Sequence, residues 1–196
     1  MRSLVKFVSR LIAIILVSPL ILLSKLGMVF KSEMLFVGCT HILSLVPDYA
    51  GSYLRVAFYT YTLPECSFTG HIRFGTFISR PQARIGANFY IGANNIIGLA
   101  HIGKNVVIAN NINVMSGRRQ HNFADPSQNI MEVEDNFEPV KIGDNVFIGD
   151  RAVIMADVGD YSIIGAGSVV VKEVPPYSVA VGNPAKVIEK RDETKS

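Results

Sequence analysis

Four histidines and two cysteines are the side chains of this 196-residue chain best suited to move a proton, attack a substrate or hold a metal. His121 stands apart from the others. It lies in a polar stretch, MSGRRQHNFADPSQNIMEVEDNFEPVK, directly after Arg118, Arg119 and Gln120. Histidine titrates near neutral pH, so it can take a proton from a hydroxyl within hydrogen-bond reach. A loop histidine taken alone is most often only solvated. Asp125, Glu132 and Glu134 are all near enough in sequence to orient it, and nothing in the sequence chooses among them. His101 adjoins Ile102 and His71 opens the regular region described below, so both read as packing or turn residues; His41 falls in an upstream helical segment. A three-histidine zinc site needs two ligands a few residues apart, and positions 71, 101 and 121 lack that pair, so no metal is expected. Cys39 and Cys66 have no metal-like spacing.

The elements that must position His121 are legible from a period. Ile72 and Ile78 are six apart, as are Ile85, Ile91 and Ile97, then Ile102, Ile108 and Val114. The spacing resumes at Ile142, Ile148 and Ile154, then Val158, Ile164 and Val170. All fourteen are Ile or Val, and eight are followed directly by Gly. Helices repeat their apolar positions every three or four residues, and sandwich strands recur every 8–12. A fixed six suits a short strand plus a tight turn, three strands to a triangular coil, with stacked coils forming a parallel β-helix. Gly and Asn supply the turn dihedrals. Steps of seven, five and four residues join the sets, and the one long break runs from Val114 to Ile142. A long irregular excursion from a regular solenoid is usually functional or disordered.

The N-terminus is of another character. Hydrophobic residues make up 49% of the chain and charged residues 18%, which excludes a disordered chain. Residues 1–31 carry five basic residues and no acid, so the remainder of a chain of net charge +3 is near −2. The positive charge therefore belongs to the N-terminus, and nucleic acid is not an expected partner. Fourteen uncharged residues, Leu11 to Ser24, separate Arg10 from Lys25. That length falls short of a hydrocarbon core of roughly 30 Å. Pro19 is expected to kink the helix. Basic residues at both flanks favour a helix that dips into the membrane and returns, with both ends cytoplasmic, and a single-pass span and a cleaved signal peptide are the alternatives. Residues 32–70 read as an adaptor: a helix starting near Ser32-Glu33, a break at Val46-Pro47-Asp48, then Tyr49, Tyr53, Phe58, Tyr59 and Tyr61 with Arg55. Those aromatics suit a membrane interface or the core of a small helical cap equally.

Ile-Gly-Ala-Asn-Phe-Tyr-Ile-Gly (85–92), Ile-Gly-Asp-Asn-Val-Phe-Ile-Gly (142–149), the run from Ile163 to Pro176 and Gly-Asn-Pro-Ala-Lys-Val-Ile (182–188) resemble the hexapeptide-repeat acyltransferases. The likeness covers about residues 72–190. It points to the maltose and galactoside acetyltransferase branch and to O-acetyltransferases of surface-polysaccharide synthesis. The resemblance implies a mainly β fold, a left-handed parallel β-helix over residues 71–174 with an active-site loop at 115–141 and a tail at 175–196. The N-terminal hydrophobic segment, 1–31, is added to that fold.

The resemblance also implies acetyl-CoA as donor, a homotrimer with sites between subunits, and a catalytic His in a loop after Ser-Gly or Thr-Gly. His121 follows Ser116-Gly117 and matches that place, at a longer spacing than in the sugar acetyltransferases. By position, Ala166 offers backbone contacts to the donor, and Lys172 and Lys186 meet its phosphates. Phe147 stands where Trp is frequent, and Asp150 where a small Ser is frequent. With no serine or cysteine in a nucleophile setting, direct transfer is favoured over an acyl-enzyme. The expected function is transfer of acetyl from acetyl-CoA to a sugar hydroxyl of a surface or lipid-linked glycan, at the cytoplasmic face of the plasma membrane. Arg118 and Arg119 are candidates for an acceptor phosphate. N-acetylation of a nucleotide-linked amino sugar and a non-catalytic membrane-bound scaffold are the alternatives.

Overall fold

The structure is a computed structural model that describes residues 2–117 and 136–192. Three helices precede the solenoid: α1 (Arg2–Val29), α2 (Met34–Ser44) and α3 (Asp48–Thr62). The first coil holds β1 (Glu65–Cys66), β2 (His71–Ile72) and β3 (Phe77–Ile78). The second holds β4 (Arg84–Ile85), β5 (Tyr90–Ile91) and β6 (Ile96–Ile97). The third holds β7 (Ala100–Ile102), β8 (Val107–Ile108) and β9 (Asn113–Val114). The fourth holds β10 (Val140–Ile142), β11 (Phe147–Ile148) and β12 (Val153–Ile154). The fifth enters through a bridge at Val158, then β13 (Ile163–Ile164) and β14 (Val169–Val170). β15 (Ser178–Val181) adds one more parallel rung, and β16 (Lys186–Lys190) returns antiparallel to it.

Equivalent strands of successive coils pair in parallel and make the three sides of a left-handed prism. Side one runs β1-β4-β7-β10, side two β2-β5-β8-β11-β13-β15-β16, and side three β3-β6-β9-β12-β14. The six-residue period is explained by this packing. All fourteen Ile and Val positions are buried, one from each side of each coil, where a β-branched side chain fits a strand well. Cys66, Val174 and Ala180 occupy the same inward rank at the two ends.

The corner between sides one and two requires a left-handed backbone. Asn88, Asn105, Asn145, Tyr161 and Tyr177 stack there with φ between 54° and 57°. Asn tolerates that region better than most residues. The asparagines also bind one another, Asn88 Nδ2 to Asn105 Oδ1 at 3.2 Å and Asn105 Nδ2 to Asn145 Oδ1 at 3.1 Å. The two tyrosine rings continue the column by stacking at 4.8 Å.

The helices cover the first coil. Arg55 of α3 is fully buried and ties them to it. Its Nε donates to Ile72 O at 2.9 Å, and its Nη1 donates to Leu43 O and Val46 O, both at 2.8 Å. It thus binds carbonyls at and just beyond the C-terminal end of α2, where a cation is favoured. Burial lowers the Arg55 pKa to about 10. Phe58 and Tyr59 are buried beside it, whereas Tyr49 and Tyr61 are exposed, so the adaptor aromatics divide between core and surface.

α1 runs unbroken through Pro19. The proline has no N–H to give Ile15 O, and the Ser18 hydroxyl donates to that carbonyl at 2.8 Å instead. Ala13, Val17, Ile21 and Ser24 form one buried stripe of α1 against α2 and α3. The rest of the helix exposes Phe7, Leu11, Ile15, Leu22, Leu26 and Val29. By length and composition, Lys6–Val29 is apolar enough to cross a membrane.

Candidate active site

The segment carrying His121, Arg118 and Arg119, together with Asp125, Glu132 and Glu134, lies outside the described residues. Its two attachment points are described, and they form a closed stem. Leaving β9, the Met115 N–H donates to Ile154 O at 2.9 Å. Ser116 is buried, and its Oγ accepts the Leu99 N–H at 2.9 Å. Gly117 then turns with φ +96°, a conformation that disfavours any side chain. A Cβ there would stand 3.1 Å from Glu138 O, because the returning strand passes directly beside it. The Glu138 N–H donates to Ser116 O at 3.0 Å, and the Val140 N–H donates to Leu99 O at 3.0 Å. Leu99 of the second coil therefore holds both arms of the excursion through its own backbone. Nothing in its side chain signals that role in the sequence.

The returning arm is held from below as well. The Arg80 guanidinium lies 3.6 Å from the centre of the Phe137 ring and pairs with Glu33 at 2.8 Å. Glu33 immediately precedes α2 and also accepts from Gln82 Nε2 at 2.7 Å. The N-terminal helices thus touch the base of the excursion through one arginine, which sequence reasoning missed.

The donor candidates occupy two corners. The excursion and Lys172 share the corner between sides three and one. Lys172 is exposed and sits two coils above Ser116, roughly 10 Å at the usual strand spacing. Ala166 and Lys186 share the corner between sides two and three. The Ala185 N–H donates to Val169 O at 2.9 Å, which lays the start of β16 over β14. Gly149 lies so close beneath Ala166 that a Cβ would stand 2.6 Å from its backbone N. The structure therefore brings Ala166 and Lys186 together and places Lys172 at the other end of side three.

Asp150 lies one coil below Ala166 on the same corner. Its Oδ1 accepts the Asn110 N–H at 2.7 Å and the Asn110 side-chain amide at 2.9 Å. These bonds hold its carboxyl below the usual Asp pKa. Asn110 Oδ1 in turn accepts the Ala93 N–H at 2.8 Å, so Asp150 is the upper member of a corner ladder.

The outward faces of the sides differ. Side one presents Glu65, Arg84, His101 and Lys141 in register. Partial burial, with Arg84 and Lys141 adding to it, lowers the His101 pKa. Side two presents Tyr90, Val107, Phe147, Ile163 and Val179 in one column. Phe147 is 44% exposed at its centre. Side three presents Phe77, Ile96, Asn113, Val153 and Val169. Among the described residues, no group of three or more His, Cys, Asp or Glu is placed to hold a metal.

The chain matches the bacterial transferase hexapeptide family (six repeats) over residues 139–172 and the hexapeptide repeat of succinyl-transferase over 82–116. No curated protein matches it by sequence. Among solved structures it is similar to a maltose O-acetyltransferase from Clostridium difficile 630, with 29% identity and a TM-score of 0.71 over 81% of this chain and 86% of that one. It is also similar to a galactoside acetyltransferase in complex with coenzyme A, with 27% identity and a TM-score of 0.68 over 86% and 84% of the two chains. A hexapeptide-repeat acetyltransferase from Vibrio cholerae complexed with acetyl-coenzyme A shares the fold at 22% identity, with a TM-score of 0.66 over 80% and 86%. By its repeat, its prism and these likenesses, the chain is a hexapeptide-repeat protein similar to the acyltransferases of that fold.

Proposed function

We propose that this protein transfers an acetyl group from acetyl-CoA to a sugar hydroxyl, with His121 as general base. The observation that carries the proposal is the closed stem at Ser116-Gly117 and Glu138, which sets a polar, histidine-bearing excursion at one corner of the prism. The likeness to maltose and galactoside acetyltransferases at 29% and 27% identity supports the donor and the acceptor class. In this reading His121 takes the hydroxyl proton as the oxygen attacks the thioester carbonyl. The tetrahedral oxyanion is met by backbone N–H groups. It collapses with loss of the CoA thiolate, and the proton held on His121 leaves with that sulfur. Lys172 and Lys186 bind donor phosphates, and Ala166 offers its backbone to the pantetheine arm. Arg118 and Arg119 bind an acceptor phosphate.

The assembly is a homotrimer in this reading. The apolar outward columns of sides two and three support it, since side one is charged and the other two offer aromatic and aliphatic faces. We also place the protein at the cytoplasmic face of the plasma membrane, acting on a lipid-linked glycan. The exposed apolar faces of α1 support that placement. The buried stripe from Ala13 to Ser24 keeps α1 against α2 and α3, which favours lying in the interface over standing across it.

The test is release of CoA thiol from acetyl-CoA by the detergent-solubilised full chain, with and without maltose, a galactoside and glucosamine. Release that depends on the hydroxyl acceptors supports the reading. Release with glucosamine alone would favour amine transfer, and none with any acceptor would favour a scaffold.

A further inference from the structure

A cavity of about 320 Å³ lies where the basic end of α1 meets α3 and the first coil. Its wall includes Lys6, Arg10, Ser52, Tyr53, His71 and Asn88, and no carboxylate lines it. Lys6 and Arg10 are one helical turn apart and so share a face of α1. Neither has a carboxylate within 4.0 Å among the described residues, where the ion pairs are Arg73–Asp48 and Arg80–Glu33. Arg10 is held in place, with its Nη2 donating to Phe68 O at 3.1 Å and its guanidinium 5.8 Å from the Phe68 ring centre. One carbonyl and one ring face leave most of its five N–H donors unused. On the facing wall, Ser52 Oγ lies 3.4 Å from His71 Nδ1 and accepts the Ile72 N–H at 3.2 Å. The cations are felt there: partial burial, then Arg73, Lys6 and Arg10, lower the His71 pKa.

We propose that this cavity binds a phosphate ester, with Lys6 and Arg10 supplying the charge. One anchored guanidinium and a lysine one helical turn away at a concave site, without an anion among its lining residues, match the charge and donor chemistry of a phosphate group. The cavity lies at the first coil and the corner between sides one and two, whereas the excursion leaves the third coil at the corner between sides three and one, so this site is separate from the proposed transfer chemistry. Its ligand is either a lipid headgroup or a soluble phosphate ester. Lys6 and Arg10 precede the apolar stretch of α1, where a headgroup of a membrane entered by that helix would stand.

Two arms on the full chain in mild detergent or with vesicles separate the sources. In the first, glycerol phosphate at saturating concentration is expected to raise the melting temperature of the parent by at least about 3 °C. Lys6→Gln and Arg10→Gln abolish the shift, and Lys25→Gln, at the far end of α1, keeps it. Lys6 is exposed and makes no hydrogen bond or ion pair within the described structure, so Lys6→Gln remains informative if Arg10→Gln disturbs folding. In the second arm, the parent is expected to prefer vesicles of phosphatidylcholine with one-fifth phosphatidylglycerol over phosphatidylcholine alone. A preference lost in Lys6→Gln and kept in Lys25→Gln assigns a lipid headgroup. A glycerol phosphate shift with equal vesicle losses in both variants assigns a soluble ester. Equal behaviour of the parent and Lys6→Gln in both arms overturns the proposal.

Discussion

Asp150 and Asn110 are joined twice across one coil step, the Asp150 carboxylate accepting both the main-chain and the side-chain N–H of Asn110 at 2.7 and 2.9 Å. That pair explains an acidic residue where the resemblance led us to expect a small one. The carboxylate finishes a ladder that begins at Ala93, and its bonds favour the charged form.

The folded-state pKa of Asp150 is depressed, so its contribution to stability is present above the ordinary value of 3.8 and is lost as pH falls through the folded value. Asp150→Asn is therefore expected to melt below the parent at pH 7. The gap should close as pH drops below about 4. Thermal unfolding of both proteins across pH 3–7 checks this, and a gap that widens in acid contradicts it.

Arg55 should carry more stability than any surface charge. Arg55→Met leaves the carbonyls of Leu43, Val46 and Ile72 without its N–H donors in a buried place. Leu43 O keeps the Val46 N–H at 3.3 Å, and a buried acceptor without a partner costs about 1–3 kcal/mol, so the loss of donors at Val46 and Ile72 should cost at least about 2 kcal/mol. Denaturant unfolding of the detergent-solubilised chain measures it.

Much of this architecture was legible in the sequence because one steric rule repeats. Each side of the prism admits one inward aliphatic residue per coil, so Ile72 to Val170 announce themselves by spacing. Cys66 and Ala180 do the same work with different side chains and stayed invisible. Arg55 could be assigned to neither an interface nor a core, because a buried arginine that binds three backbone carbonyls leaves no local pattern. The bond that meets the carbonyl freed by Pro19 could not be read ahead, because the Ser18 hydroxyl's direction is apparent only in three dimensions. Leu99 acts through its backbone, and Arg80 through partners 47 and 57 positions away in sequence.

The donor assignment predicts that Lys172→Ala and Lys186→Ala each weaken acetyl-CoA binding by roughly tenfold to a hundredfold, the usual loss for a charge-assisted phosphate contact. Titration calorimetry on each variant tests them separately, which matters because the two lysines stand at different corners.

The trimer reading predicts that Phe147→Glu lowers the mass measured by light scattering from three chains to one. Phe147 is outward and 44% exposed in the single chain, so the substitution should leave the coil itself folded. A variant that keeps the parental mass removes side two from the interface.

The central claim rests on His121. The stem at Ser116, Leu99 and Glu138 closes the solenoid without the excursion, so His121→Ala is expected to keep the parental melting temperature and acetyl-CoA affinity. Its turnover with a hydroxyl acceptor should fall by roughly 10²–10⁴, the loss typical of a positioned general base. The decisive measurement is kcat for acceptor-dependent acetyl transfer by His121→Ala beside the parent, at saturating acetyl-CoA. A fall of that size with donor affinity unchanged is the predicted result, and turnover at the parental rate would contradict the account.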